Sequence, residues 1–467
     1  MWIPDLSAPS GPIYLAIANA IESDVKSGVL STGDRLPPQR ELAYQLGVTL
    51  GTVTRAYAEA ERRRLLRGET GRGTFVAPES PAISPLIPSE EDDGRLDLAR
   101  NFAYPHLNPD LSAGLMRLAR TPGVDRLNGF VPSEGLKAHR ETGALLFSHY
   151  GLTADPAQVA LTCGAQHGIQ ILLQALFRPG DALAVDAYTY PSIIHSAPNL
   201  GLRLVPVPGT STGKAGLDAM DPDALASAAR SQAVKGVFLM PNMQNPTTHT
   251  MSLDERRALV TVARRHGLRI IEDDPYTPFV SDHPPAFGAL APDLTASIAS
   301  ISKLISPGSR IGFVNVPAPF MPEVRSLIGE STWMASPITA ELIAGWVRDG
   351  TLDKTVLAKK KENARRYRYA VGRFGEARFI GSDEKVFAWL RLPEDLDSQG
   401  LETSLTHQGI AVLAARHFQP EMRRPAPYLR ITLGSVAGEG DFRSAIDRVA
   451  LAIERGETPA MRREPVG

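Results

Sequence analysis

Residues 299–313 read "ASISKLISPGSRIGF". The stretch is apolar enough to be core, yet it carries Lys303 and Arg310 seven positions apart, with Ser300 and Ser302 close to the lysine. Pro307 and Gly308 break the chain between the two cations. Lysine is among the residues least often buried. A lysine that is buried beside another cation is shifted toward its neutral amine, and a neutral amine attacks carbonyl groups. "IIEDDPY" ends an apolar run with Glu272, Asp273, Asp274 and Tyr276, and "MQNPTT" sets Asn245 before Pro246. "VDAYTYP" carries Tyr188 and Tyr190, and "YLRITLG" carries Arg430. "LTCGAQHGIQILLQAL" passes from a strand pattern through Gly164 into a helical one. The backbone N–H groups of Ala165 and Gln166 would there face an anion.

Taken singly, each stretch has an ordinary reading. The acids could be a surface cluster, the Asn-Pro pair a turn, the tyrosines packing and the glycine a tight connection. Metal binding is not expected, because no histidine stands at ligand spacing beside the acids. Taken together, one ligand accounts for all of them. Pyridoxal phosphate needs a lysine for a Schiff base and an acid at its pyridinium nitrogen so that the ring can accept electrons. It needs a phosphate cup, which a helix N-terminus, a serine and an arginine supply. It also needs donors at its ring oxygen and a stacking partner.

The elements around these groups must place them side by side. From about residue 155, short apolar strands ("ALAVD", "RLVPV", "GVFLM", "RIIED") alternate with helical stretches such as "DERRALVTVARRHG". That alternation predicts an α/β unit with a mainly parallel sheet. Ligands of such sheets sit beyond the carboxyl ends of the strands, which is where the unusual residues fall.

The chain has 467 residues, enough for several domains, and a net charge of −1. That balance argues against binding polyanions over the whole surface but leaves room for one small DNA-binding module. Cys163 is the single cysteine, so no intrachain disulfide forms, which fits a reducing cytoplasm. The N-terminus lacks the basic start and apolar core of a secretory signal, and no long apolar run predicts a membrane span. Residues 78–95 hold Pro78, Pro81, Pro85 and Pro88 followed by an acidic cluster, the composition of a stiff linker. A module at 11–77 precedes it, and a unit at 96–460 follows, with a small α+β C-terminal subdomain expected at about 325–455.

In the first module, "IYLAIANAIESDVK" puts Tyr14, Ile17, Ala18, Ile21 and Val25 on one helical face. "QRELAYQLG" predicts a short helix ending at Gly47, and Thr49 can cap the next helix, "LGTVTRAYAEAERRRL". Two short helices joined by a tight turn make a helix-turn-helix. "LLRGETGRGTFV" then reads as strand, glycine turn and strand, with Arg72 at the tip. The module holds nine basic and eight acidic residues up to Pro78, so a DNA footprint depends on placement. Arg40, Arg55 and Arg72 must share a face with Thr49 and Thr52. The run Arg62–Arg64 reads as a solvated helix end.

"GDRLPPQRELAYQLGVTLGTVTRAYAEAERRRLLRGETGRGTFV" resembles the GntR-type winged helix. The resemblance implies that Arg40, Thr49, Thr52 and Arg55 contact DNA in and beside the major groove, and that the Arg72 wing approaches the minor groove. Leu50 stands where that family usually has arginine. Residues 96–455 are similar to the fold-type-I aminotransferases, whose "SxSKxxxPGxRxGY" pattern matches the stretch around Lys303. The resemblance implies that Lys303 forms the Schiff base, Ser300 and Arg310 hold the phosphate, and Asp273 meets the pyridine nitrogen. It further implies that Tyr276 and Asn245 meet the ring oxygen, Tyr190 covers the ring, and Arg430 grips a substrate carboxylate. Thr248 departs from the usual glycine of "NPTG", and Phe130 stands where a phosphate-contacting tyrosine of the partner subunit is common.

The order of modules resembles the MocR subfamily of GntR regulators. It implies a cytoplasmic, head-to-tail homodimer that binds operator DNA and senses pyridoxal phosphate or an amine or amino-acid effector. The alternative expectation is an active pyridoxal-phosphate-dependent aminotransferase acting on an amino acid.

Overall fold

The computed structural model describes residues 2–4, 12–26, 29–30, 34–63, 65–69, 73–76, 94–102, 104–210, 219–421 and 426–456. The chain divides into two compact units, Met1–Glu91 and Asp92–Gly467. Most of the proline-rich stretch expected at 78–95, and the expected wing tip Arg72, lie outside the described residues.

In the first unit, helix α1 (Ile13–Lys26) buries Ile17, Ala18 and Ile21, the face its periodicity predicts. Helix α2 (Gln39–Gln45) ends at Gly47, whose φ of +63° is the left-handed turn that lets the chain start α3 (Leu50–Arg62). Thr49 caps α3, its hydroxyl accepting from the Thr52 N–H at 3.2 Å. Strands β1 (Leu66–Glu69) and β2 (Gly73–Val76) pair antiparallel. Leu36 and Val76 exchange further bonds with Thr74 and Asp34 along the same hairpin. Leu42, Val53, Ala56, Tyr57, Leu66 and Val76 join the α1 residues in one core. This is a winged helix-turn-helix. Arg63 is not a solvated helix end: its guanidinium donates to Glu22, Glu59 and Asn19 and ties α3 to α1.

The second unit starts with a strap. Its short strand β3 (Leu96–Asp97) pairs with a strand of the C-terminal subdomain. The main sheet has seven strands: β4 (Val159–Thr162), β5 (Ala182–Asp186), β6 (Arg203–Val207), β7 (Val234–Leu239), β8 (Arg269–Asp273), β9 (Thr295–Ser300) and β10 (Gly312–Asn315). Their order is β4-β10-β9-β8-β7-β5-β6. Only β10 runs antiparallel to its neighbours. The inner strands β5, β7 and β8 carry buried Val, Ile, Leu and Ala runs, as a parallel sheet covered on both faces requires, and β9 buries serine and threonine as well. The helix Leu253–His266 shows how locally the sequence sets its ends. Ser252 and Glu255 form a reciprocal capping box, and Gly267 turns left-handed at φ +65°.

The C-terminal subdomain has a four-stranded sheet, β11 (Phe379–Ile380), β12 (Phe387–Arg391), β14 (Leu413–Ala414) and β15 (Tyr428–Thr432), while β13 (Ile410–Ala411) pairs with β3. Its core gathers Leu98 from the strap and residues from Ala370 onward. The helices Met321–Thr332 and Pro337–Arg348 pack instead into the main core, so the boundary expected near 325 falls inside that core.

One buried cation braces the loop between β7 and the helix Leu253–His266. Arg256 is fully buried and donates to the carbonyls of Met251, Pro284 and Pro285 and to Asn242 Oδ1. Burial lowers its basicity, and nearby Glu272 and Asp274 oppose that shift. Arg256→Met should leave these acceptors unpaired and cost about 3–5 kcal/mol, the usual result of breaking a buried charged network. Urea unfolding of the full chain measures it; a loss under about 1 kcal/mol would contradict this bracing role.

Candidate functional site

Strand β8 lies between β7 and β9 and ends in three acids. Alternation along a strand sends Glu272 and Asp274 to one side and Asp273 to the other. Glu272 accepts from the N–H groups of Phe287 and Gly288 and from the Ser297 hydroxyl. Asp274 accepts from Asn242 Nδ2, from the Thr277 hydroxyl and from the Thr277 N–H. Asp273 Oδ1 is buried with no hydrogen-bond partner. Burial first, and then the charge of Asp274, push the Asp273 carboxyl up to about 7, against the opposing pull of Lys303.

Lys303 lies three residues beyond the end of β9. Its Nζ donates to the carbonyl of Asn101 and sits 5.9 Å from the Phe102 ring centre. Burial and the positive charge of Arg430 lower its basicity to about 8, with Arg310 adding less and Asp273 opposing. The cation expected to favour the neutral amine was Arg310; the larger contribution comes from Arg430.

Arg430, on β15, brings the C-terminal subdomain into the site. It donates NH1 to Asn245 Oδ1 at 3.1 Å and NH2 to the Ala99 carbonyl, while its Nε is buried without a partner. Its guanidinium lies 5.1 Å from the Phe418 ring centre and 5.8 Å from that of Phe387. Burial brings its basicity down to about 10. Tyr276 is buried, packs edge-on against Phe387, and accepts from Asn101 Nδ2 at 2.8 Å. Tyr190 precedes the helix Pro191–Asn199; its hydroxyl engages Ser192, and the charges of Asp273, Arg430 and Arg310 all act on it.

The fourth side of the site is a helix start. Gly164, at φ +82°, opens the helix Ala165–Leu176. A Cβ on Gly164 would meet the Arg310 guanidinium at 2.6 Å, and one on Gly312 would meet the Ala165 nitrogen at 2.8 Å. Arg310 donates to the Cys163 carbonyl at 3.0 Å. The two glycines thus let the arginine and the helix N-terminus close on one spot. Gln166 uses its Nε2 on Ser196, and its Oε1 is buried without a partner. Ser300 is buried, and its hydroxyl accepts from the Ser302 N–H. Thr248 adopts φ +66°, the conformation for which glycine is usual, and its N–H bonds the Gln244 carbonyl.

The candidate DNA residues sit on the first unit. Arg40, Thr49 and Arg55 are exposed, and the Thr49 and Thr52 hydroxyls lie 2.9 Å apart. The Arg55 guanidinium rests 4.0 Å from the centre of the Tyr14 ring, an attraction that no local pattern marks. Sequence reasoning also missed Ala99 and Asn101, whose carbonyls and amide cap Arg430, Lys303 and Tyr276. They lie in an irregular strap about 200 residues before the lysine, where no periodic pattern marks them. A surface cleft of about 210 Å³ lined by His149, Thr277, Val356 and Lys360 holds none of these groups.

The "Aminotransferase class I and II" family model matches residues 123–449, and the "Bacterial regulatory proteins, gntR family" model matches residues 13–76. The chain is 26% identical to an uncharacterized HTH-type transcriptional regulator, YdeF of Bacillus subtilis, over 92% of each chain. It is 28% identical to the vitamin B6 salvage pathway transcriptional repressor PtsJ of Salmonella typhimurium, over 90% of this chain and 94% of that one. An archaeal alanine:glyoxylate aminotransferase superposes with a TM-score of 0.70 at 21% identity, covering 77% of this chain and 91% of the other, which establishes a shared fold.

A carboxyl whose folded pKa is raised adds stability at low pH that disappears as the pH climbs through the folded value. With Asp273 at about 7, ligand-free protein should lose stability between about pH 4 and 7 on its account. Asp273→Asn should remove that loss. The variant should be more stable than the parent at pH 8, by something on the order of 2–4 kcal/mol, and no more stable near pH 4. Urea unfolding at the two pH values checks this, and an equal difference at both would contradict it.

Proposed function

Because the chain belongs to the aminotransferase class I and II family and carries a gntR-family domain ahead of it, we propose that it is a transcriptional regulator of the MocR type. Its winged helix binds promoter DNA, and its aminotransferase-like unit binds pyridoxal 5'-phosphate. The observation that carries the cofactor reading is the buried, unpartnered Asp273 Oδ1 within the electrostatic reach of Lys303. A protonated ring nitrogen is the partner this oxygen lacks. The close-set glycines, the helix start and Arg310 fit a phosphate. Lys303 would hold the cofactor covalently, with Asp273 at the ring nitrogen, Tyr276 and Asn245 at the ring oxygen, and Tyr190 over the ring. Ala165, Gln166, Ser300 and Arg310 would hold the phosphate.

When bound, pyridoxal phosphate supplies an aldehyde that condenses with amines and a ring that draws electrons. The protein's own groups prepare for this. Lys303, at about 8, keeps an appreciable unprotonated fraction near neutral pH. Arg430 offers a buried cation to an effector carboxylate. To take its NH2 donor, the carboxylate must displace Ala99, which belongs to the strap that continues the interdomain linker. Effector binding thus acts on the segment of chain that leads to the DNA-binding unit, and shifts its populations. The effector is an amine or amino acid, or the vitamin itself, a choice supported by the relative named for vitamin B6 salvage.

The protein acts in the cytoplasm as a head-to-tail homodimer. Phe130 and Trp333, 80% and 67% exposed, lie tilted against each other with ring centres 5.1 Å apart, and Met116 and Ile338 are exposed as well. Large apolar groups left bare in this way are covered by a second copy. The presence together of Lys303, Asp273 and Arg430 keeps a second reading, an amino-acid aminotransferase, in play.

Lys303→Ala should fold, lose the yellow colour of the cofactor complex, and give no borohydride-reducible attachment in this unit. Arg430→Ala should still take up pyridoxal phosphate but lose the change in DNA affinity that the effector causes. Absorbance titration and a DNA shift assay with an amino-acid panel measure both. If no amine or amino acid perturbs the spectrum while cofactor alone changes DNA affinity, the vitamin is the signal. Should Lys303→Ala retain the reducible attachment, the site is misassigned.

A further inference from the structure

Helix α3 presents Thr49, Leu50, Gly51, Thr54 and Arg55 to solvent, while Val53, Ala56, Tyr57 and Ala60 fill the core from its other side. Leu50 begins the helix and is 43% exposed. The apolar core of the unit does not include it. Gly51 beside it has nothing closer to a Cβ position than Thr49 Oγ1 at 3.9 Å, so the backbone there is open to close approach. One turn on, the Thr54 hydroxyl donates to Gln39 Oε1 at 2.7 Å, which fixes the Gln39 amide at the edge of the same face. Arg55, the one cation of α3 among the described side chains, is drawn over Tyr14 on α1. The exposed first turns of α3 are therefore apolar and hydroxylic, with no free guanidinium to take a guanine edge.

We propose that Leu50 is a specificity-determining residue that reads thymine through its 5-methyl group in the major groove. This rests on the DNA-binding reading above. The thymine methyl is the apolar feature of the major-groove edge, and an aliphatic side chain at the start of a recognition helix is its complement. An arginine at this position would select guanine by paired bonds to O6 and N7; leucine cannot make them and is desolvated without return against a guanine edge. Gly51 lets the helix come near enough for Leu50 to touch the methyl. Thr54 and Gln39 supply the neighbouring polar contact.

The test removes one methyl group at a time. A random-sequence duplex library is selected with the full-length protein, and the enriched site is resynthesised with deoxyuridine in place of each thymine in turn. The wild type should lose roughly three- to tenfold in affinity at one or two positions per half-site, the scale of one buried methyl. Leu50→Ala should lose that sensitivity, and Leu50→Arg should move the preference at the same position toward guanine. Tight binding by the wild type that ignores every deoxyuridine overturns the assignment alone, as does methyl sensitivity that survives in Leu50→Ala. A protein that binds no duplex at all overturns the regulator reading and this assignment with it.

Discussion

An unpaired carboxylate at the end of a central strand is the constraint around which the second unit is arranged. Three acids in a row where β8 ends, Glu272, Asp273 and Asp274, could not all be buried as unpaired charges, because burial of an unpaired ion is costly. The fold separates them. Glu272 is saturated by two backbone N–H groups and a serine, and Asp274 by Asn242 and Thr277. Arg256 stands behind Asn242 and keeps its amide turned toward Asp274. Asp273 alone receives no donor, although it lies between elements that supply them freely. Both neighbours are satisfied and the middle acid keeps a bare Oδ1, where buried polar groups are almost always paired, and this is the opening on which the cofactor proposal rests.

The strap at 94–102 is the second organising element. Its strand β3 adds to the C-terminal subdomain, and Leu98 enters that subdomain's core. The next three residues cross the site, with the Ala99 carbonyl on Arg430, the Arg100 carbonyl on Ser435 and the Asn101 carbonyl on Lys303. The groups expected to hold ligands are thus occupied by the chain's own backbone. On the proposed function, a ligand at Arg430 or Lys303 would have to displace the carbonyl of Ala99 or Asn101. That competition gives a physical form to regulation by a small molecule, because the competing segment is continuous with the linker.

The chemistry-bearing residues were legible because their motifs are local. Lys303 and Arg310 share one turn, Asp273 and Tyr276 another, and the capped helices declare their ends through Thr49, Ser252, Glu255, Gly47 and Gly267. The parallel sheet was legible from its apolar strands. What the sequence hid depends on distant pairs. Asn101 meets Tyr276 across 175 positions, and Arg430 meets Ala99 across 331. Nothing in a local pattern marks such partners, and so the main cation acting on Lys303 was read as Arg310. The subdomain start expected at about 325 differs from the packing for the same reason: a sequence shows that a helix such as Met321–Thr332 is amphipathic, but not against what it packs. Arg63 looked like a solvated cation because Glu22 and Asn19 lie on another helix, and the Tyr14 ring beside Arg55, expected only as a DNA contact, was hidden in the same way.

The central claim is that occupancy at Lys303 governs DNA binding. Its most direct measurement is DNA affinity of the full-length protein on its upstream intergenic duplex, with and without pyridoxal phosphate and an amino-acid panel, for the wild type and Lys303→Ala. The account predicts that ligand changes the affinity of the wild type and leaves that of Lys303→Ala unchanged. Steady conversion of amino acids to keto acids by a protein whose DNA affinity no ligand alters would contradict it.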